Sequence, residues 1–202
     1  MGVVKLSTAG ILDYQKYSSA LAGNTPYSPF SSAYELLETE ILTGSQASVT
    51  FSSLNSTYGA NYQHLQLRMT LRGTSSSSIR TELKLNSASS TYASHELAGN
   101  GSSVASSANT GDAFIRTGRV IGGTGTANSY SAQVVDILDA FETTKATTVR
   151  TLGGSTGYNY VYLTSGLWTT LDAVDSIQIS PESGVGSWEQ YCRFSLYGRR
   201  AA

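Results

Sequence analysis

The sequence predicts an all-β protein, an antiparallel β-sandwich of two sheets, on three observations. Apolar and polar residues alternate over 63–72 and again over 79–86, and such alternation gives a strand one dry face and one wet face. Short segments of this kind recur between stretches rich in Gly and Ser, which is typical of sandwiches and barrels. The 202 residues include 32 Ser, 23 Thr and 20 Gly, a composition that suits strands joined by polar loops.

The body of the chain is expected to begin near Tyr34 and to contain eleven strands. They are predicted over 34–42, 46–51, 63–72, 79–86, 92–97, 112–121, 129–138, 147–152, 158–164, 174–180 and 190–198. The segments between them are rich in glycine, which adopts the positive φ of tight turns at little cost. One helical turn is expected within Val135–Thr144. The predicted core is Leu65, Leu67, Met69, Leu83, Leu85, Ile137, Leu167, Ile177, Ile179, Phe194 and Leu196.

Residues 1–33 differ from the body and are predicted to form an extended N-terminal arm, ahead of a sandwich domain at 34–202. Pro26 and Pro29 fix φ and lack an N–H donor, which favours a segment that runs over a surface. The arm has too few residues to bury its own large apolar side chains, which favours docking on a neighbouring subunit or particle over a solvated tail. The predicted anchoring residues are Leu6, Ile11, Leu12, Tyr14, Tyr17, Tyr27 and Phe30.

Charge and composition argue against several classes of partner. Charged residues make up 13% of the chain and the net charge is −1, so nothing draws the protein to nucleic acid or to an anionic membrane. No apolar run is long enough to span a bilayer, and the N-terminus lacks the apolar stretch of a signal peptide. Cys192 is the single cysteine, so no internal disulfide is expected. We expect a product made in a cytoplasm.

No catalytic or metal motif stands out, so neither an enzyme nor a cofactor is expected. His64 and His95 are the two histidines, and no second ligand stands at zinc spacing from either. The acidic residues are scattered, and Glu82 is interpreted as a solvated member of a charged strand face. Gly122-Gly123-Thr124-Gly125 lacks the lysine of a phosphate-binding loop.

Tyrosine is the abundant aromatic residue, with 13 copies against 5 Phe and 2 Trp. Tyr158, Tyr160 and Tyr162 alternate along one predicted strand and therefore share a face. Two interpretations of that face stay open, an interface with another protein or a platform on which a sugar ring stacks.

Several short segments, taken in order, resemble small virion proteins of tailed bacteriophages. The resemblance covers roughly 34–198 and rests on Ser48-Val49-Thr50-Phe51-Ser52-Ser53-Leu54, Tyr62-Gln63-His64-Leu65-Gln66-Leu67-Arg68, Leu85-Asn86, Tyr92-Ala93-Ser94-His95-Glu96-Leu97, Val135-Asp136-Ile137-Leu138-Asp139, Ser165-Gly166-Leu167-Trp168 and Phe194-Ser195-Leu196-Tyr197-Gly198. Leu54 departs from the isoleucine usual at that position.

The resemblance implies a jelly-roll-like subunit of a virion, described in that family as a minor structural, decoration or tail protein, with no catalytic residues. Its expected partners are major capsid or tail proteins and further copies of itself, with a trimer favoured and with neither nucleic acid nor membrane. The alternative is a module at a tail or fibre tip that binds a host glycan. Assembly in the host cytoplasm and residence in the virion would follow.

Overall fold

A computed structural model describes residues 34–155, 157–182 and 185–200 of the chain. Its contacts divide the chain into two compact units, Met1–Glu35 and Leu36–Ala202. The predicted arm, residues 1–33, and all seven of its anchoring residues lie outside the described residues, so the account below concerns the sandwich.

Twelve strands and one short helix make up the described body. The strands are β1 (Glu35–Ile41), β2 (Val49–Phe51), β3 (His64–Leu71), β4 (Ser78–Leu85), β5 (Tyr92–Gly99), β6 (Val104–Asp112), β7 (Ile115–Ile121), β8 (Ser131–Leu138), β9 (Thr147–Ser155), β10 (Tyr160–Trp168), β11 (Ile177–Pro181) and β12 (Arg193–Arg199). The helix α1 (Leu54–Tyr58) lies between β2 and β3.

The strands form two antiparallel sheets that pack face to face, which confirms the predicted all-β sandwich. The large sheet has eight strands in the spatial order β1-β12-β3-β8-β9-β10-β5-β6. The small sheet has four, in the order β2-β11-β4-β7. Because the large sheet is twice as wide, its outermost strand β6 is exposed along nearly its whole length on both faces.

The core forms where the inward side chains of the two sheets meet. In the large sheet, Leu67 of β3 stands opposite Leu196 of β12 and Val135 of β8, and all three are fully buried. In the small sheet, Ile179 of β11 pairs with Leu83 of β4. These cross-strand pairs are the units that hold each sheet together and give it an apolar inner face.

Tyr92 ties the two sheets to each other through its phenol. It lies on β5 of the large sheet with a side chain 1% exposed. Its hydroxyl accepts the N–H of Leu85 and donates to the carbonyl of the same residue, both at 2.8 Å. Leu85 ends β4 of the small sheet, so one side chain satisfies two backbone groups at the sandwich margin. Burial raises the pKa of Tyr92 to about 12.

Arg72 joins the loops at one end of the sandwich. Its guanidinium donates to four carbonyls of the 122–130 loop at 2.7–3.4 Å, and its Nε lies 2.9 Å from Glu189 Oε2. Its backbone N–H donates to Cys192 Sγ at 3.2 Å. The side chain is 6% exposed, and a charge this deeply buried is tolerable only with such a full set of partners.

All eleven predicted strands are present, with ends that shift by a few residues. The strand β6 and the helix α1 were not predicted, and one predicted helical turn is absent. β6 was not predicted, because the sequence Val-Ala-Ser-Ser-Ala-Asn-Thr-Gly-Asp lacks alternation and reads as a loop. The helical turn expected within Val135–Thr144 is absent there, since β8 continues to Leu138 and a hydrogen-bonded turn follows.

Two side chains differ from the prediction in their exposure. Leu167 was assigned to the core and is instead 36% exposed. Its neighbour Trp168 is 1% exposed, and successive residues of a strand cannot both point inward. Glu82 was assigned to a solvated face and is 5% exposed, beside a register shift between Arg80 and Glu82. The remaining ten predicted core residues are buried.

Shortening a central core residue should destabilise the sandwich strongly. Leu67→Ala removes a fully buried side chain, so we expect the free energy of unfolding to fall by about 2–5 kcal/mol. Urea unfolding followed by far-UV circular dichroism measures the change. Leu97→Ala, which shortens a half-exposed side chain of the same sheet, should change it by less than about 0.5 kcal/mol. Equal effects would contradict the facing of β3.

Alkaline pH should weaken the contact between the sheets. Because the Tyr92 pKa is raised above its ordinary value of 10 to about 12 in the folded state, the stabilisation is complete below pH 10 and is lost as pH rises through about 12. Stability measured from pH 9 to 12 should therefore fall, and Tyr92→Phe should flatten that fall. A variant with the same pH dependence as the wild type would disprove this role of Tyr92.

Candidate binding surface

The two outward faces of the sandwich differ in chemistry. The outer face of the small sheet is charged: Arg80 lies 3.6 Å from Glu182, and Lys84 follows on the same strand, opposite Gln178. Charged and polar side chains of this kind keep a surface hydrated. The outer face of the large sheet is uncharged and largely apolar in two rows that cross five of its eight strands.

A row of large aliphatic side chains crosses four strands of the large sheet. The register sets Leu163 of β10 opposite Leu97 of β5 and Leu152 of β9, and sets Leu152 opposite Val134 of β8. The three leucines are 48%, 48% and 58% exposed in the order Leu97, Leu163, Leu152. Three exposed leucines and the half-buried Val134 therefore form one aliphatic row across the surface.

A second row runs beside the first and has no charged member either. Val161 of β10 stands opposite Gly99 and Gly154, Gly99 stands opposite Val104 of β6, and Gly154 stands opposite Ala132. Val161 is 61% exposed and Val104 is 75% exposed. We call these two rows together, from β6 to β8, the outer apolar patch.

The patch ends at a polar network on the β8–β3 side. Arg150 Nη2 donates to Asp136 Oδ2 at 2.7 Å, and Gln66 Nε2 donates to the other oxygen of Asp136 at 2.6 Å. Arg68 Nε donates to Gln66 Oε1 at 2.7 Å, and the Arg68 guanidinium lies 4.7 Å from the centre of the Tyr197 ring. The charged side chains of this network thus form hydrogen bonds or a cation–π contact within the large sheet.

The polarity of β9 and β10 is partly inverted across the sheet. Their outward residues include Leu152, Val161 and Leu163, whereas their inward residues include Thr151 and Thr164, which stand directly opposite each other and are fully buried. Within the described ranges, hydroxyls and one indole N–H on this inner side have no hydrogen-bond partner: Thr147, Thr151, Ser155, Tyr162, Thr164 and Trp168.

Apolar residues nevertheless occupy both faces of β10. Tyr162 and Trp168 are buried inward, whereas Val161, Leu163 and Leu167 point outward. Strands with apolar residues on both sides are typical of sheets covered on both faces. The side chains of β10 thus match a strand in the middle of a three-layer arrangement, although the described chain supplies two layers.

The three tyrosines predicted to share a face do lie side by side. The Tyr158 and Tyr160 ring centres are 4.9 Å apart, and those of Tyr160 and Tyr162 are 5.4 Å apart, with nearly parallel planes. Tyr162 is 1% exposed against Gly118, and burial raises the pKa of its phenol. Of the three, Tyr158 and Tyr160 are therefore the rings that a ligand could reach.

A shallow depression of about 530 Å³ lies next to these tyrosines, at one end of the large sheet. It runs along the margin of the outer apolar patch, between the loops at that end. Its lining includes Tyr160, Tyr130, Asn159 and Asn100. Aromatic rings beside amide side chains are a combination that suits a sugar, since the rings cover its apolar face and the amides bond its hydroxyls.

The remaining candidate residues hold local structure. His64 Nδ1 accepts the N–H of Asp139 at 2.8 Å, which fixes the turn after β8. The Asp139 carboxylate lies 2.5 Å from Lys145 Nζ, and this hydrogen bond, with that of Gln63, lowers the pKa of Asp139. Burial raises the pKa of the Cys192 thiol to about 11, so it is a poor nucleophile at neutral pH.

The part of the chain that the structure describes holds no group of three His, Cys, Asp or Glu residues placed to bind a metal ion. In the same ranges no helix has the length and apolar character needed to cross a membrane. His95 faces outward, opposite Ser165 on the neighbouring strand.

Comparison with known proteins assigns no family. No protein-family model matches the sequence, and no curated protein matches it either. The resemblance to bacteriophage virion proteins therefore rests on the short segments quoted above and stays a prediction.

Sequence reasoning missed the outer apolar patch. Its residues are spread over five strands, and they come together only through the register. A signal was present in Tyr160–Trp168, where apolar residues occupy both alternating positions.

Proposed function

We propose that this protein is a non-enzymatic structural subunit of a bacteriophage virion, a decoration or appendage protein on the outer surface of the capsid or tail. Its N-terminal arm fixes it to the particle, and its partners are major capsid or tail proteins and further copies of itself, with a trimer favoured. It is assembled in the host cytoplasm and resides in the virion.

The outer apolar patch is the observation that carries this proposal. Side chains such as Leu152 and Val161 are more than half exposed in a continuous uncharged area. Contiguous apolar surface of this size marks a site of association with other proteins. An assembled particle would cover such a surface, and it would also cover the apolar side chains of the arm.

Two groups that could act in catalysis, His64 and Cys192, are engaged in structure instead. The imidazole of His64 holds a backbone N–H, and the thiol of Cys192 is buried between backbone groups of Arg72. The guanidinium of Arg72 donates hydrogen bonds to backbone carbonyls of the same chain and forms an ion pair with Glu189. Because these side chains form hydrogen bonds and ion pairs within the fold, they support a structural role.

Deletion of residues 2–33 tests the anchoring role in the phage that encodes the chain. We expect the full-length protein to co-sediment with purified particles and to be detected in them by mass spectrometry. The truncated protein should keep a far-UV spectrum dominated by β-structure and a cooperative thermal transition, yet remain in the soluble fraction.

Three other results would contradict parts of this proposal. Absence of the full-length protein from purified particles would show that it is not a virion protein. Normal incorporation of the truncated protein would show that the arm is not the anchor. Loss of the cooperative transition after truncation would show that residues 2–33 belong to the fold.

Glycan binding at a tail or fibre tip is the second candidate, favoured by the accessible Tyr158–Tyr160 stack beside its depression. In this alternative the accessible end of the tyrosine stack contacts a sugar of the host surface, and Asn159 contributes polar contacts.

A glycan array distinguishes this alternative. Replacement of both Tyr158 and Tyr160 with serine should abolish any glycan signal of the wild-type protein. Tyr191→Ser, which removes an exposed tyrosine elsewhere, should leave it intact. A signal that survives the double substitution would place the glycan site elsewhere, and a silent wild type on a broad array would count against the function itself.

A further inference from the structure

We infer that the outer apolar patch is a self-association surface, which packs against the same patch of a second copy of this chain around a two-fold axis. The inference deepens the proposed function, because it names one contact of the oligomer; two of the favoured trimers joined through this two-fold contact would form a hexamer. It rests on that function only for the expectation that copies associate, since the contact requires no phage particle.

β10 already carries the side chains of a middle layer. Val161 and Leu163 point outward with 61% and 48% of their surface exposed, while Tyr162 and Trp168 are buried on the other side. Thr151 and Thr164 occupy inward positions of β9 and β10, while aliphatic side chains occupy outward positions. A second sheet on the outside would give β10 apolar neighbours on both faces.

The absence of charge from the outer apolar patch favours an identical partner. In a two-fold contact each copy presents the same surface, so any net charge in that surface repels itself. The ten positions of the two rows, from Val104 to Ala132 and from Ser106 to Val134, include no charged residue. The nearest ion pair, Arg150 with Asp136, neutralises itself at 2.7 Å.

The area available for contact extends beyond the patch itself. Five strands spaced about 4.8 Å apart make the patch about 24 Å wide. The patch and the adjoining row, which holds His95, Ser165 and the Arg150–Asp136 ion pair, together extend about 20 Å along the strands. The surface is therefore on the order of 500 Å² per copy. Two copies would bury about 1,000 Å² in total, which is about the size that specific interfaces reach.

β6 is an edge strand of the large sheet. It has its neighbour β5 on one side only, and its most exposed large apolar residue, Val104, extends the patch to the sheet edge. Exposed edge strands are usually protected by lysine, proline or a bulge. In β6 the register shift lies at Gly111, near the end of the strand, and the segment from Val104 to Thr110 has no charged residue and no proline, so a second copy would cover this segment.

A matched pair of lysine substitutions in the full-length protein tests this inference. Leu152 in the patch and Leu171 in the loop before β11 are both 58% exposed, so both changes leave the core intact. The molar mass is measured by light scattering after size exclusion over a range of concentrations. We expect the wild type and Leu171→Lys to show twice 21.4 kDa or an even multiple of that value.

Leu152→Lys should halve that mass, or raise the dissociation constant at least tenfold, because a lysine on the two-fold contact is desolvated against its own copy. The wild-type oligomer should also persist in 1 M salt, since apolar contacts are not screened. Circular dichroism and thermal melting confirm that all variants are folded.

Other outcomes would overturn the inference. A wild type that is monomeric at all concentrations, or an oligomer of unchanged mass in Leu152→Lys and in a second patch variant, Leu163→Lys, would show that the patch does not join copies. An odd-numbered oligomer insensitive to both changes would do the same. Particle incorporation of the same variants is scored separately, so virion function can stand where the self-contact fails.

Discussion

The buried guanidinium of Arg72 is the constraint on which the two-sheet arrangement depends. Three connections cross from one sheet to the other near it: β3 to β4, β7 to β8 and β11 to β12. Arg72 begins the first, bonds four carbonyls of the second and pairs with Glu189 of the third. Loop carbonyls that would otherwise need water are satisfied by one side chain. The fixed fork of the guanidinium suits it to that task better than the point charge of a lysine would.

Fixing these crossings at one end of the sandwich also fixes which side of each strand faces inward. A slip of one residue would exchange every inward side chain for an outward one. In β10 such a slip would bring Leu163 and Leu167 inside but would expel the buried Trp168 and also Tyr162, which lies over Gly118 of β7. The burial of the aromatic rings thus determines which side of β10 points inward. The buried threonines of β9 and β10 therefore lie on the inner side, and the leucines of both strands lie on the outer side. The open aliphatic surface is a consequence of where the largest rings fit.

The sequence predicts what alternation alone can encode. Apolar and polar residues alternate in His64–Leu71, and their burial follows the prediction except at Gln66. The Gln66 side chain is buried and donates a hydrogen bond to Asp136. β6 escapes prediction because its stability comes from the backbone ladder with β5, to which its small side chains add little. Leu167 was misplaced because alternation in Tyr160–Trp168 gives two apolar faces, and the sequence does not say which one meets the small sheet. The outer apolar patch depends on register between distant strands, which no local pattern contains.

The inner faces of β9 and β10 carry buried polar side chains, whereas the outer apolar patch lies on their other side. Buried hydroxyls without partners, such as those of Thr151 and Thr164, lower stability, since each loses its bonds to water. A sheet selected for the stability of an isolated subunit would place leucine inward and threonine outward at these positions. Here the aliphatic residues are outside, where they contribute to stability only when something covers them. Cover of the outer face would contribute about 25 cal/mol per Å² of apolar surface removed from water.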